Sequence, residues 1–293
     1  MSLRRRLRWA LEGAALWTGY GLLAVLGLDL ASACGGALGR VVGPRLGVSR
    51  TARGNLARAF PDKVPAEIEA VVVGMWENLG RTVGEFAHLG RIRTRGRDAR
   101  IELRGEENIE LLKRDGRPGI AYAAHLGNWE LGALVSALHG LPVTLLYRRA
   151  NNPLAEWLIR RCRRPVGGEL VAKGPAASRR ITEVLGRGGH LGMLADQKTN
   201  NGVPAPFFGR DAMTTPVLAL CALKYDCPLV PVQVERLNGA RFRVTVHPPL
   251  RIVATGRRKD DVLTITAAIN ASIEGWIRLH PEQWIWLHRR WPG

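Results

Sequence analysis

Polarity along the chain first breaks at residue 13. Residues 13–28 carry no charge, and apart from Asp29 the weakly apolar texture continues to Leu38. As a helix rising ~1.5 Å per residue, the uncharged stretch reaches about 24 Å, short of a ~30 Å hydrocarbon core; continued to Leu38 it is long enough to cross if tilted. Arg4, Arg5, Arg6 and Arg8 precede it, and Arg40, Arg45, Arg50, Arg53 and Arg58 follow. Positive charge on both flanks suits a helix lying in the interface, or dipping and returning, better than a single span. A secretory signal is a second reading, since Ala31-Ser32-Ala33-Cys34 resembles a cleavage site, although Asp29 interrupts the apolar run and the arginines beyond oppose export. An ordinary buried helix is the third. The expectation is a membrane anchor over residues 1–45 and a single domain over 46–293, where no linker or internal repeat is visible.

Further on, Ile68, Val71, Val72, Met75, Trp76, Leu79, Val83 and Phe86 recur at helical spacing, with Asp62 and Pro65 as start signals, and predict an amphipathic helix over 65–89. From residue 101 short apolar runs alternate with helical patterns. Strands are predicted at 101–103, 120–124, 143–147, 191–195, 229–235 and 241–246, and helices at 106–113, 129–138, 153–163, 176–185 and 262–279. Such alternation gives an α/β fold with a mostly parallel mixed sheet and helices on both faces, preceded by the anchoring helix. In these sheets ligands bind beyond the carboxyl ends of the strands.

Composition adds three constraints. A 46% hydrophobic and 23% charged chain of 293 residues is globular. The mean hydropathy of −0.06 excludes a polytopic membrane protein. Cys34, Cys162, Cys221 and Cys227 form no CxxC pair and have no histidine at zinc-ligand spacing, so neither a disulfide framework nor a metal site is expected. The net charge of +18 asks for a nucleic acid, an anionic lipid surface or an acidic protein as partner.

Candidate chemistry follows the 120–124 strand, in His125-Leu126-Gly127-Asn128-Trp129-Glu130. On one continuous helix His125 and Glu130 would not share a face. With His125 in a turn folded back by Gly127, Glu130 in the first helical turn reaches an imidazole nitrogen, fixes its tautomer and leaves the other nitrogen to take a proton. Taken alone, such a pair is more often a core histidine beside a helix start. Arg148 ends a strand and suits an anion clamp or a surface ion pair. Asp196 ends a buried strand, where an acid needs an arginine or the acceptor as partner. Gly127 and Asn128 offer donors for an oxyanion. Arg160, Arg161, Arg163 and Arg164 form a basic cluster, either a solvated face or a dock for an acidic carrier. Trp284, Trp286 and Trp291 beside Arg289 and Arg290 read as an interfacial belt as readily as a core.

The hexad resembles the His-x4-Asp/Glu block of membrane-bound acyltransferases, in the form typical of the lipid A late acyltransferases. Tyr147-Arg148 with Asn152-Pro153-Leu154, Ala195-Asp196-Gln197 with Gly202-Val203-Pro204 and Pro206-Phe207-Phe208-Gly209, and the terminal run from Pro281 to Trp291 resemble further blocks of that branch, in order over nearly the whole chain. Asn55-Leu56 and Phe60-Pro61 fit the same pattern, and the Phe-Pro-Glu-Gly block of glycerolipid enzymes is absent. The resemblance implies an acyltransferase domain over 46–293, facing the cytoplasm from the inner membrane. It implies His125 as general base and Glu130 as its orienter; Arg148, Asp196, Asn128 and Gly127 are the candidate substrate-binding residues beside them. The donor it implies is an acyl thioester of acyl carrier protein or CoA, and the acceptor a hydroxyl of a lipid A precursor. No cofactor or metal is expected, because a thioester is already activated. An ornithine lipid, lysophospholipid or mannoside as acceptor is the alternative within the same chemistry. A basic module binding nucleic acid or anionic membrane is the rival from another class; no helix-turn-helix or ribonucleoprotein pattern supports it, and nucleic acid is not expected as a partner.

Overall fold

Short Val-, Ile- and Leu-rich runs become strands here because helices cover both of their faces. The computed structural model describes residues 3–291. Along the chain lie α1 (Leu3–Val25), α2 (Leu28–Val42), α3 (Ser49–Ala59), α4 (Pro65–Glu85), β1 (Ile101–Arg104), α5 (Glu106–Arg114), β2 (Gly119–Ala123), α6 (Glu130–Leu138), β3 (Thr144–Tyr147), α7 (Pro153–Cys162), β4 (Leu170–Ala172) and α8 (Pro175–Gly186). There follow β5 (His190–Leu194), β6 (Val203–Phe207), β7 (Arg210–Thr214), α9 (Val217–Tyr225), β8 (Leu229–Asn238), β9 (Arg241–Val246) and α10 (Arg258–Leu279). Seven strands form one sheet in the order β1-β9-β8-β2-β5-β3-β4, and β6 and β7 form a separate hairpin. Every pairing in the large sheet is parallel except β8 with β9. The expected mostly parallel mixed sheet is the one observed.

Alternation along β2 divides its residues between two cores. Ile120 and Tyr122 join α3, α4, α9 and α10 in one cluster, and Ala121 and Ala123 turn to the other face with Leu131, Leu134 and Val135 of α6. On that second face Ala121 and Ala123 leave space between the sheet and α6.

The N-terminal helices are corrected by the structure. No described helix is long and apolar enough to cross a membrane, so the expected anchoring helix finds no support as a span. Instead α2 packs on α4 through glycines. A Cβ at Gly35 would stand 2.2 Å from the Gly80 carbonyl oxygen, so only glycine permits this backbone approach. Ala31 and Ser32, inside the sequence that resembles a cleavage site, are fully buried. The first helix, α1, lies on α7, with Trp17 and Trp157 ring centroids 4.6 Å apart and the Asn152 amide donating to the Trp9 carbonyl at 2.9 Å. A boundary at residue 45 therefore follows a helix already built into the folded body.

The polarity pattern does not predict α3, β4, the β6–β7 hairpin or α9. Only three residues long, β4 shows no usable alternation. Pro204 and Pro206 fall on the exposed positions of β6, which a two-stranded ribbon tolerates because those nitrogens face away from its one partner.

Candidate active site

Leaving β2, the chain makes a clamped turn instead of entering a helix. Leu126 forms an isolated antiparallel bridge with Trp284. The Gly127 N–H donates to the Gln283 carbonyl at 3.1 Å, and its own carbonyl accepts from Asn78 Nδ2 at 3.1 Å and Thr82 Oγ1 at 3.2 Å. With φ of +58° and a prospective Cβ 2.6 Å from the Val234 oxygen, this position requires glycine. Its N–H is spent, so Gly127 is no oxyanion donor. Nor is the Asn128 side chain, which is fully buried, donates to Glu85 at 2.9 Å and accepts from the Glu130 N–H at 3.3 Å. Glu85 also accepts from Ser32 at 2.7 Å and pairs with buried Arg236, whose Nε donates to Asn78 at 2.8 Å. This network ties α2, α4 and β8 to the back of the turn.

The clamp sets His125 against the end of β5, which lies next to β2 in the sheet. His125 Nδ1 lies 2.8 Å from Asp196 Oδ1, and its backbone N–H donates to Asp196 Oδ2 at 2.8 Å. Trp284 Nε1 donates to the same oxygen at 2.7 Å. Burial by itself would raise the Asp196 carboxyl, but the charge His125 can carry and the three hydrogen bonds outweigh it and hold the group at about 2. An ionised carboxylate on Nδ1 fixes the tautomer in which Nε2 is the acceptor, the nitrogen that can take a proton once its partner is displaced. The Gln197 side-chain amide donates to that Nε2 at 3.2 Å.

The expected His125–Glu130 bond is not formed. Because the turn ends at Trp129, Glu130 opens α6 and points toward α7. There Arg163 donates to it with Nε at 2.8 Å and Nη2 at 2.5 Å, and Trp129 Nε1 adds a bond at 3.0 Å. Both partners are buried, with side chains 15% and 4% exposed. Arg163 thus leaves the basic cluster in which its charge run placed it. Trp129 connects the two centres, its ring 5.3 Å from that of His125.

Arg148 stands exposed on the wall of a cavity that His125 also lines, as does Lys173, which no sequence motif marks. His288 joins them there, its ring pushed below the ordinary histidine range by burial and by the charges of His125, Arg148 and Lys173, with Asp196 opposing. The cavity, about 480 Å³, runs from His125 back along the sheet to Ile109, Leu112 and His190 at the amino ends of β2 and β5. Small residues make the room: Ala121 and Ala123 on β2, Gly132 and Ala133 on α6, Gly192 on β5. Leu, Ile and Val make up much of the remaining wall, and the charged side chains gather near His125, so the inner part suits a hydrocarbon chain.

The C-terminal tryptophans are core. Trp284, Trp286 and Trp291 are at most 3% exposed, and Trp284 and Trp286 meet edge to face at 4.6 Å. Arg290 is fully buried over the Phe207 ring and donates to Thr214 Oγ1 at 2.7 Å; burial pushes it down to about 10, with Asp196 opposing. These residues wall the site from behind, through the Trp284 bond to Asp196.

A histidine at the carboxyl edge of a mostly parallel sheet, oriented by a buried acid and opening on a cavity with a largely apolar inner wall, defines a site for base-assisted chemistry on a lipid group. Comparison with known proteins agrees. The family model of the bacterial lipid A biosynthesis acyltransferases matches residues 3–292. A lipid A biosynthesis acyltransferase of Haemophilus influenzae is 27% identical over 274 residues, covering 91% of this chain and 83% of that protein. The lipid A biosynthesis myristoyltransferase of Escherichia coli is 27% identical over 264 residues, covering 85% and 77%. The palmitoleoyltransferase of the same organism is 26% identical over 248 residues, covering 82% and 77%. The chain belongs to the bacterial lipid A biosynthesis acyltransferase family, and it is an acyltransferase.

Proposed function

We propose that this enzyme moves a fatty acyl chain from an acyl thioester, carried by acyl carrier protein, to a hydroxyl of a lipid A precursor at the cytoplasmic face of the inner membrane. His125 Nε2 takes the hydroxyl proton as the oxygen attacks the thioester carbonyl. The carbon–sulfur bond then breaks, and the thiolate leaves with the proton returned by His125. Asp196, kept ionised, holds the ring through Nδ1 and stabilises the imidazolium as it forms. Glu130 acts through Trp129 and Arg163, as a positioning residue for the wall beside the base. The acyl chain lies in the apolar cavity, whose length along the sheet limits chain length.

Attachment to the membrane is proposed through the surface of the first two helices. Leu7, Leu11, Leu22, Val25, Leu38 and Val41 are each more than half exposed, among arginines suited to anionic headgroups. That arrangement favours lying in the interface over spanning.

The observation that carries the reading is the His125–Asp196 pair at the mouth of the cavity. Purified protein incubated with acyl carrier protein thioester and lipid A precursor is expected to yield a product heavier by one acyl group, and His125→Ala none above background. Equal product from that variant sinks the mechanism.

A further inference from the structure

Gln197 follows Asp196 directly, just beyond the carboxyl end of β5, and lines the cavity together with His125. Its side-chain nitrogen lies 3.2 Å from His125 Nε2 and 3.5 Å from Nδ1. Nearly equal distances to the two ring nitrogens place the amide beside the ring, off the line of the Nε2 lone pair. An acceptor hydroxyl that donates to Nε2 along that line, at ~2.8 Å, takes over the hydrogen bond and leaves its oxygen about 4 Å from the amide nitrogen. The neighbouring donors of the turn are committed. The His125 N–H and Trp284 Nε1 donate to Asp196, and the Leu126 and Gly127 N–H groups to the carbonyls of Ala124 and Gln283. The Asn128 amide donates to Glu85, and Trp129 Nε1 to Glu130.

We infer that the Gln197 side-chain amide is the oxyanion donor of the reaction. The inference rests on the acyl-transfer reading and adds the group that steadies its intermediate. As the acceptor oxygen bonds to the thioester carbon, the C=O π pair moves onto the carbonyl oxygen and His125 takes the hydroxyl proton. That carbonyl oxygen is two bonds from the attacking one, so it comes within about 2.7–3.1 Å of an amide standing on its side of the ring. When the pair returns to the carbon, the carbon–sulfur bond breaks and the thiolate takes the proton from His125. A neutral donor suits this position. A full positive charge against the ring would oppose the imidazolium that forms together with the oxyanion, whereas an amide dipole stabilises the oxygen without that repulsion. One strand end thus fixes both the acid behind the ring and the donor beside it. At rest the amide is occupied by Nε2, and the arriving hydroxyl frees it for the carbonyl oxygen.

Gln197→Ala is expected to lower kcat by ~10²–10³ with KM for both substrates nearly unchanged. A loss carried by KM, or turnover near that of wild type, overturns the donor. Gln197→Glu keeps the length and removes the donor, so it is expected to be at least as slow; wild-type turnover in it overturns the proposal too. Two analogues of the acyl thioester separate this role from mere support of the ring. A trifluoromethyl ketone in place of the thioester hydrates to a tetrahedral centre, and a thioether lacks the carbonyl oxygen altogether. Wild type is expected to bind the ketone more tightly than the thioether, and Gln197→Ala to lose roughly tenfold or more on the ketone alone. Equal losses on both analogues, or none on either, overturn the proposal. His288→Phe, on the same wall, is expected to keep the preference for the ketone; if that variant abolishes it and Gln197→Ala does not, the donor is His288. Acylated lipid A precursor from wild type with Gln197→Ala unimpaired sinks the donor alone. A ketone preference that depends on Gln197, in a wild type that acylates no lipid A precursor, keeps the donor and sinks the reading of the acceptor.

Discussion

His125 and Asp196 make one unit, and replacing either member has a separate signature. His125→Ala is expected to lower turnover by ~10²–10⁴ while the protein still folds, because the turn is held by Leu126, Gly127 and Asn128 and not by the ring. Asp196→Asn frees the tautomer and is expected to cost activity on the same scale, measured with the same thioester assay. It also changes acid stability. With the folded carboxyl at about 2 against an ordinary 3.8, the wild-type group contributes stability fully present above its unfolded pKa and lost as pH falls through about 2. Urea unfolding between pH 5 and pH 2 is expected to show wild type losing of the order of 2 kcal/mol that the Asn variant does not lose. Glu130 and Arg163 behave as a buried ion pair. Arg163→Met leaves Glu130 unpaired and is expected to cost about 3–5 kcal/mol, most of which Glu130→Met in the same protein restores. A double variant no more stable than Arg163→Met alone would show that the pairing is not what matters there.

At the scale of elements, the cavity exists because two strands and one helix carry small residues on the face they share. Leu112 of α5 closes its far end and is 4% exposed. Leu112→Ala is expected to shift donor preference toward longer acyl chains, read by competition between thioesters of different length, at about 2–5 kcal/mol of stability. An unchanged preference would mean the chain does not reach α5. Long periodic helices and Val-rich strands were legible from the sequence to within a few residues: α4 and β9 lie where their patterns put them. What polarity did not carry was β4, and with it Lys173, because a strand of three residues has no period to detect.

For the whole molecule, the +18 charge is unevenly useful. Burial removes Arg163, Arg236 and Arg290 from the surface. Arg160, Arg161 and Arg164 remain at the end of α7. Reversing those three to glutamate is expected to lower kcat/KM for acyl carrier protein thioester severalfold, with a steeper loss at low salt, and to spare a small soluble thioester. Equal losses on both donors would place the damage in the fold. Removing residues 1–26 takes away α1 and spares the α2–α4 contact; the truncated protein is expected to float less with anionic vesicles and to keep a salt-sensitive remainder. Unchanged flotation would move the attachment surface away from α1.

Local chemistry fixed much of this protein in advance. Alternating patterns determined the sheet and its main helices, and the resemblance of ordered motifs pointed to the family and to His125. Which acid holds His125 was beyond the reach of spacing. Glu130 is five residues away in the chain and bonded to Arg163, whereas Asp196 is 71 residues away and within 2.8 Å. That choice depends on β5 lying beside β2, and strand order is set by how helices pack across the sheet, not by any single strand's pattern. The same holds for the N-terminal apolar run. Its hydrophobicity is a local property, but which face of α2 packs on α4 and which stays outward was decided by glycines on both helices that allow their backbones to touch.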